Sequence, residues 1–302
     1  MYRYLFLLLF LVSCQGANSD KPSSTVLLDI PPRIQWDSGH GYCGETSIQS
    51  IGLYYGAWIS QQIIRDVGDG EILLGVNSDI ALQALNFNFE AWKQDEIDTP
   101  QYRTFLPWMK AHLLQKIPVV FGAYLAEGDD SPDYDHIMPA VGIQDDTLIF
   151  YNNYDVKHIY RDFKLLHATR SECQDGINNG GCIPDDVDFG VAISGIVDKM
   201  HVTKPVRLIV NYQDEPNINE GEFPRQMRAL VIVSDLTVGQ SYALLRYDDY
   251  SNVPTDGLVD DFLYSDYKIR IDFIANDKEW HYTDPVSFRS DSSLYYRVVP
   301  ID

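Results

Sequence analysis

Beyond the first forty or so residues, hydrophobic positions follow a helical period first and a two-residue period later. Ile48, Ile51 and Tyr55 recur at three- and four-residue spacing behind a glycine-rich turn (Gly39, Gly41, Gly44), which predicts a buried helix starting at Cys43. Ser60 is placed to cap a short helix carrying Ile63, Ile64 and Val67, and Asn77-Ser78-Asp79 opens another with Ile80, Ala84 and Leu85 on one face. At Phe87 the period drops to two: Phe87, Phe89 and Ala91 alternate with Asn88 and Glu90, as in a strand. A further helix carries Leu106, Met109, Leu113 and Leu114. It leads into the apolar run Pro118 to Tyr124, which is too short for a core helix and rich in strand formers. His136 then heads an apolar run to Ile143, Gln144-Asp145-Asp146 makes a turn, and Thr147 to Tyr151 returns to Asn152 and Asn153. Such a hairpin brings a histidine entering one strand close to an asparagine leaving its antiparallel neighbour. Strands are expected again near Lys157 to Phe163 and Phe189 to Val197, so helices precede antiparallel strands in an α+β order.

From about Lys204 the runs are short and alternating: Val206 to Tyr212, Ala229 to Ser234, Tyr242 to Tyr247, Tyr267 to Phe273 and Leu294 to Val299. In the fourth, Tyr267, Ile269, Ile271 and Phe273 face one way and Lys268, Arg270 and Asp272 the other, as in a sheet with one wet face. This texture predicts an all-β sandwich of immunoglobulin or fibronectin type over residues 201–302, following an α+β domain over residues 31–200. A length of 302 residues accommodates both, and 45% hydrophobic residues suffice for packed cores. No catalytic cluster is visible in the second region, which reads as a spacer packed on the first domain or as a partner-binding module.

Residues 1–14 join one basic residue, Arg3, to an apolar run too short to span a bilayer as a mature helix, and read as an export signal. The end of this run, Leu11-Val12-Ser13-Cys14, resembles a bacterial lipobox. Cys14 would then be acylated at the mature N-terminus and residues 15–30 would be a linker, entering the folded part at Ile30-Pro31-Pro32. The other reading is ordinary secretion, with cleavage beyond Cys14. The expected location is therefore the cell surface or periplasm as a lipoprotein, or else the medium, with membrane contact only through the anchor. A formal charge of −21 without a lysine/arginine cluster argues against nucleic acid or anionic lipid headgroups as partners.

Export makes the cysteines informative. With Cys14 in the signal, Cys173 and Cys182 flank a turn-rich loop and form the natural disulfide, leaving Cys43 as the odd thiol. A helix start favours an adjacent anion, so this position is expected to populate the thiolate. Asn and Asp residues of the same loop, with Asp185, Asp186 and Asp188, offer oxygen atoms to calcium but lack the regular ligand spacing of a calcium loop and also suit turns.

Cysteine catalysis requires a thiolate, a histidine, an orienting group and oxyanion donors, for which the candidates are Cys43, His136, Asn152 and Gln35. The chain order Gln, Cys, His, Asn resembles the papain-like cysteine peptidases. Gly-Tyr-Cys-Gly opening a helix, the Pro-Val-Val strand, Asp-His-Ile-Met-Pro-Ala-Val-Gly-Ile and Leu-Ile-Phe-Tyr-Asn are similar to the bacteriocin-processing (peptidase C39-like) group of that fold, over residues 33–198. The resemblance implies Cys43 as nucleophile, His136 as general acid/base, Asn152 as the orienting residue, and the Gln35 amide with the Cys43 N–H as oxyanion hole. Asn153 replaces Asn152 if the strand ends one residue later. The Gln35 to Cys43 gap is longer than is usual in the family, and Glu45 stands where relatives carry a small residue or proline, lining the cleft or capping the helix. His40 lies three residues before Cys43, where a turn histidine is usually solvent-facing. His112, His158, His167, His201 and His281 lack metal-ligand spacing.

The function expected is hydrolysis of a peptide, protein or related amide substrate through a thioester on Cys43, with no cofactor. The alternatives are a surface binding or adhesion lipoprotein that has lost activity, and a transamidase using the same site.

Overall fold

The computed structural model describes residues 25–36, 41–125, 134–155, 157–174, 181–211 and 224–301. Its first part runs β1 (Thr25–Leu27), α1 (Cys43–Tyr54), β2 (Ala57–Ile59), α2 (Gln61–Val67), α3 (Ser78–Ala84), β3 (Phe87–Ala91), α4 (Tyr102–Leu114), β4 (Val119–Ala123), β5 (His136–Gln144), β6 (Thr147–Phe150) and β7 (Ile159–Asp162). The short elements α5 (Phe163–Leu166), β8 (His167–Ala168), α6 (Arg170–Gln174) and β9 (Ile183–Pro184) precede β10 (Gly190–Ile196). Ser60 caps α2 as expected, its hydroxyl accepting from the Ile63 N–H at 3.1 Å.

Seven strands form one sheet in the order β3-β10-β4-β5-β6-β7, with β1 on β5. β5 is its hub. It pairs with β4 from His136 to Ala140 and with β6 from Ala140 to Gln144, while β1 continues the place of β4 along Gly142 to Gln144. Alternate residues face opposite ways, as strand geometry requires. Val120, Ile137, Val141 and Ile149 join Ile48 and Ile51 of α1 in one core, and Val119, Phe121, Met138, Ala140, Leu148 and Phe150 join Phe105, Met109 and Leu113 of α4 in another. Residues 25–30 are not linker: Thr25 to Leu27 complete the sheet along β5, and Leu28 and Ile30 are buried. The apolar Val26 and Leu28 fill a space that β4 leaves open.

The second part runs β11 (Val206–Asn211), β12 (Gln226–Val233), β13 (Ser241–Tyr247), α7 (Val259–Leu263), β14 (Ile269–Ile274), β15 (Trp280–Thr283), β16 (Phe288–Arg289) and β17 (Ser293–Ile301). One sheet is β11-β12-β15 with β16 on β12, and the other is β14-β13-β17-β2. The molecule is therefore α+β and rich in sheet. β14 alternates half-buried and exposed residues along its length, in line with one wet face. The middle strands of its sheet differ, because both of their faces are covered. Tyr242, Leu244, Tyr296 and Val298 face β11 and β12, whereas Ala243, Leu245, Tyr295 and Val299 join the core around α1.

β2 ties the two parts. It leaves α1 after one turn and pairs Ala57, Trp58 and Ile59 with Tyr295, Leu294 and Ser293 of β17. Trp58 is fully buried in the second core, its indole N–H donating to the Ser290 carbonyl at 3.1 Å and the Arg33 guanidinium lying 4.8 Å above its ring. No described helix is long and apolar enough to cross a membrane.

Because β2 and the core around α1 join both parts, calorimetry should show one cooperative unfolding transition. Trp58→Ala should lower stability by about 3–5 kcal/mol through the cavity left behind, moving that whole transition. Two transitions, only the later one shifted, would show that the strand exchange does not couple them.

Candidate active site

α1 begins at Cys43, and its first turn has no side-chain cap. The turn before it needs Gly41, whose φ of +65° lies in the left-handed region. Gly44 is needed for a different reason, since a Cβ there would lie 2.8 Å from the Ile72 carbonyl oxygen. α1 is enclosed on all sides, and its polar residues other than Ser50 bond internally. Thr46 Oγ1 donates to the Tyr42 carbonyl at 2.7 Å, Ser47 Oγ to the Cys43 carbonyl at 2.8 Å, and Gln49 Nε2 to the Ile59 carbonyl at 2.8 Å.

Glu45 faces neither cleft nor solvent. Buried completely, it accepts from Arg65 Nε at 2.7 Å and from the Ile72 N–H at 3.2 Å. Arg65 also donates to the Gly41 carbonyl at 2.7 Å and lies 3.5 Å over the Tyr42 ring. The pair clamps the turn that delivers Cys43. A carboxylate without such a partner would be costly at this depth.

His136 enters β5 2% exposed. Its Nε2 lies 2.5 Å from the Asn152 carbonyl oxygen. A carbonyl only accepts, so Nε2 carries the proton and the neutral ring keeps its lone pair on Nδ1. Asn152 orients the imidazole through its backbone, because its side-chain Oδ1 accepts instead from the N–H groups of Tyr154 and Asp155 at 3.0 and 3.1 Å. Tyr154, which carried no signal in the sequence, stacks on the imidazole with ring centroids 4.8 Å apart.

Asn153 is the buried asparagine of the pair. At φ +62°, a backbone region that Asn tolerates, its Nδ2 points at the Cys43 carbonyl (3.0 Å), Ser47 Oγ (3.0 Å) and the Ile137 carbonyl (2.9 Å). Its own carbonyl accepts from the Gln35 N–H at 2.9 Å. Gln35 is 3% exposed, and its Oε1 is buried without a partner. Cys43, His136, Asn152, Asn153 and Gln35 thus converge from four separate segments of the chain. Among the described residues the Cys43 thiol is not hydrogen-bonded to the His136 ring, which bonds to the Asn152 carbonyl.

Burial overrides the expected effect of the helix start on the thiol. Desolvation pushes Cys43 up to about 12, backbone N–H groups of Ile137 and Gly44 pull the other way, and the carboxylates of Glu45 and Glu71 add to the rise. Desolvation likewise pushes His136 down to about 4 against the Asn152 carbonyl. Thiol and imidazole therefore rest as a neutral pair across the neutral range.

Cys173 and Cys182 are disulfide-bonded, leaving Cys43 free. The bridge lies beside the end of β4, where Tyr124 and Cys182 exchange backbone hydrogen bonds. Among the described residues no group of three or more His, Cys, Asp or Glu is placed to hold a metal ion, and Asp186 is taken by Arg170 at 2.7 Å. Cys14, the remainder of the signal, and His40 lie outside the described residues. A comparison with protein-family models matches none, and one with curated proteins finds no similar sequence.

Alkylation of Cys43 by iodoacetamide should accelerate about tenfold per pH unit from pH 6 to 10, because a thiol near pKa 12 is ionised in only about one molecule in 10⁵ at pH 7. A plateau beginning below pH 6 would instead mean a preformed thiolate. Asn153→Asp places a carboxylate among three oxygen atoms and should cost about 3–5 kcal/mol at pH 7, a loss relieved on acidification to protonate it. Urea midpoints at pH 7 and pH 4 measure both.

Proposed function

We propose that the site performs acyl transfer through a cysteine thioester. More particularly, the protein would be an exported peptidase or amidohydrolase of papain-like type, with the second part an accessory β-sandwich. The observation that carries this reading is the convergence of a free cysteine at a helix start with a histidine whose neutral tautomer leaves Nδ1 as base. The resemblance in motif order supports it.

In this mechanism His136 Nδ1 takes the Cys43 proton as sulfur attacks the substrate carbonyl, so no standing ion pair is required. The oxyanion is met by the Cys43 N–H and the Gln35 side-chain amide. Collapse returns the proton to the departing amine and leaves the thioester. Water, deprotonated by the same imidazole, then releases the acid. Substrate must displace the water that bathes the half-exposed Tyr154, which covers the imidazole.

Cys43→Ala and His136→Ala should each abolish hydrolysis of a peptide library, because nucleophile and base act as one unit. Gln35→Ala should cost on the order of 10²–10³ in kcat. Asn152→Ala should cost less than tenfold, since the orienting carbonyl is retained. Activity persisting in a folded Cys43→Ala variant would refute the mechanism. Failure of the wild type on every substrate, with Cys43 inert to electrophiles at pH 10, would favour a binding lipoprotein instead.

A further inference from the structure

At the end of α1 opposite Cys43, roughly 16 Å away at 1.5 Å per residue, a cavity of about 660 Å³ opens between the two parts of the chain. Its walls come from the ends of α1 and α4, the bulged end of β10, the segment before β11, and β17. A volume of this order accepts a small organic molecule. An adjoining hollow of about 380 Å³ shares Asn88, Gln115, Ile117 and Ser194 with it and extends it along β3 and β10.

The lining is rich in cations for so acidic a molecule. In a chain of net −21, this wall gathers Lys116, Lys204, Arg207 and Arg297 against Asp198 and Glu279. Arg207 is neutralised by Asp29, but neither Lys116 nor Lys204 has an ion-pair partner among the described residues. Arg297 is compensated incompletely: its side chain is 7% exposed, it donates to Thr203 Oγ1 at 2.9 Å, it stands 3.9 Å from Asp198, and its Nε has no partner. Desolvation accordingly pushes this guanidinium down to about 10, with Asp198 opposing. The carbonyl ends of α1 and α4 add about half a negative charge each, so with Arg207 paired to Asp29 the wall is close to neutral, and the cations it leaves for a ligand are Lys116, Lys204 and the incompletely compensated Arg297.

We propose that this cavity is a second binding site, which takes a small ligand bearing an oxyanion, a carboxylate or phosphate group on a short organic body. The oxyanion lies between Lys204, Lys116 and the Arg297 guanidinium, and the rings of Tyr54 and Tyr55 and the side chain of Ile117 flank the body. Because the walls belong to both parts of the chain, an occupant braces one against the other and raises the unfolding temperature. The site is independent of any chemistry at Cys43.

Titration calorimetry of the intact protein at about 0.15 M salt, with citrate and with inorganic phosphate as probes, tests this assignment. At least one anion should bind saturably and raise the unfolding temperature. Citrate alone would mark a carboxylate ligand and phosphate alone a phosphate ligand. The double variant Lys116→Gln/Lys204→Gln should unfold at the wild-type temperature without ligand yet bind about tenfold or more weakly. Lys110→Gln, whose lysine pairs with Asp146 on another face, should bind as wild type. No saturable heat from either anion up to about 10 mM, or equal affinity in the double variant, overturns the assignment.

Discussion

The side-chain amide of Asn153 holds the candidate site together. Two N–H bonds face three acceptors at 2.9 to 3.0 Å, so one of them is shared. The acceptors belong to the first turn of α1 and the first residues of β5, and the Asn153 carbonyl adds the Gln35 segment. All of these groups are buried, where water cannot replace a lost partner and an orphaned amide or carbonyl costs about 1–3 kcal/mol. Cys43, the start of β5 at His136, and Gln35 are therefore positioned through one residue in a left-handed conformation, which Asn tolerates better than most side chains.

α1 is pinned at its other end by different means. Gly56, at φ +80°, turns the chain out of the helix so closely that a Cβ would meet Val206 Cβ at 2.9 Å, and β2 then joins the edge of β17. A helix anchored by hydrogen bonds at Cys43 and by strand pairing just past Tyr54 has little freedom to translate. The sheet it feeds is covered on both faces, so movement of the second part would strain the core that positions Cys43.

Much of the fold was legible from periodicity. The helices at Cys43, Gln61, Ser78 and Tyr102 and the strands β3 to β7, β10 to β14 and β17 appear where hydrophobic spacing predicts them, and the Cys173–Cys182 bridge forms as the cysteine count and the loop between them predict. β1 and β2 escaped because three-residue strands contain too few positions to show alternation. Their strand character comes from partners 115 or more residues away in sequence, Ile143 for Val26 and Leu294 for Trp58. At the site, spacing identified Cys43, His136 and the asparagine pair, but it could not say which asparagine lends a side chain and which a carbonyl. That division follows from the φ of Asn153, a property no residue pattern encodes. The ionisation of Cys43 was misjudged for a related reason: a helix start favours the thiolate by about 1 kcal/mol, whereas enclosure by β5 and the Ile72 segment removes water, the larger effect.

A neutral thiol beside a neutral imidazole changes what the reaction needs from the protein. An ion pair formed in advance would have to be stabilised throughout the resting state, and Glu45 and Glu71 would oppose the thiolate while enclosure would oppose both charges. In the proposed mechanism charge arises only during attack and would be stabilised only then, by the N–H groups of Gly44 and Ile137 at sulfur and by the Asn152 carbonyl at the imidazolium Nε2–H. The short Nε2 contact is worth most when the ring becomes cationic, because a hydrogen bond from a charged donor is about twice as strong as a neutral one. Burial itself opposes these charges, so any preference of the site for the proposed transition state over the neutral ground state would come from the hydrogen bonds that are already aimed at sulfur and at the imidazole inside it.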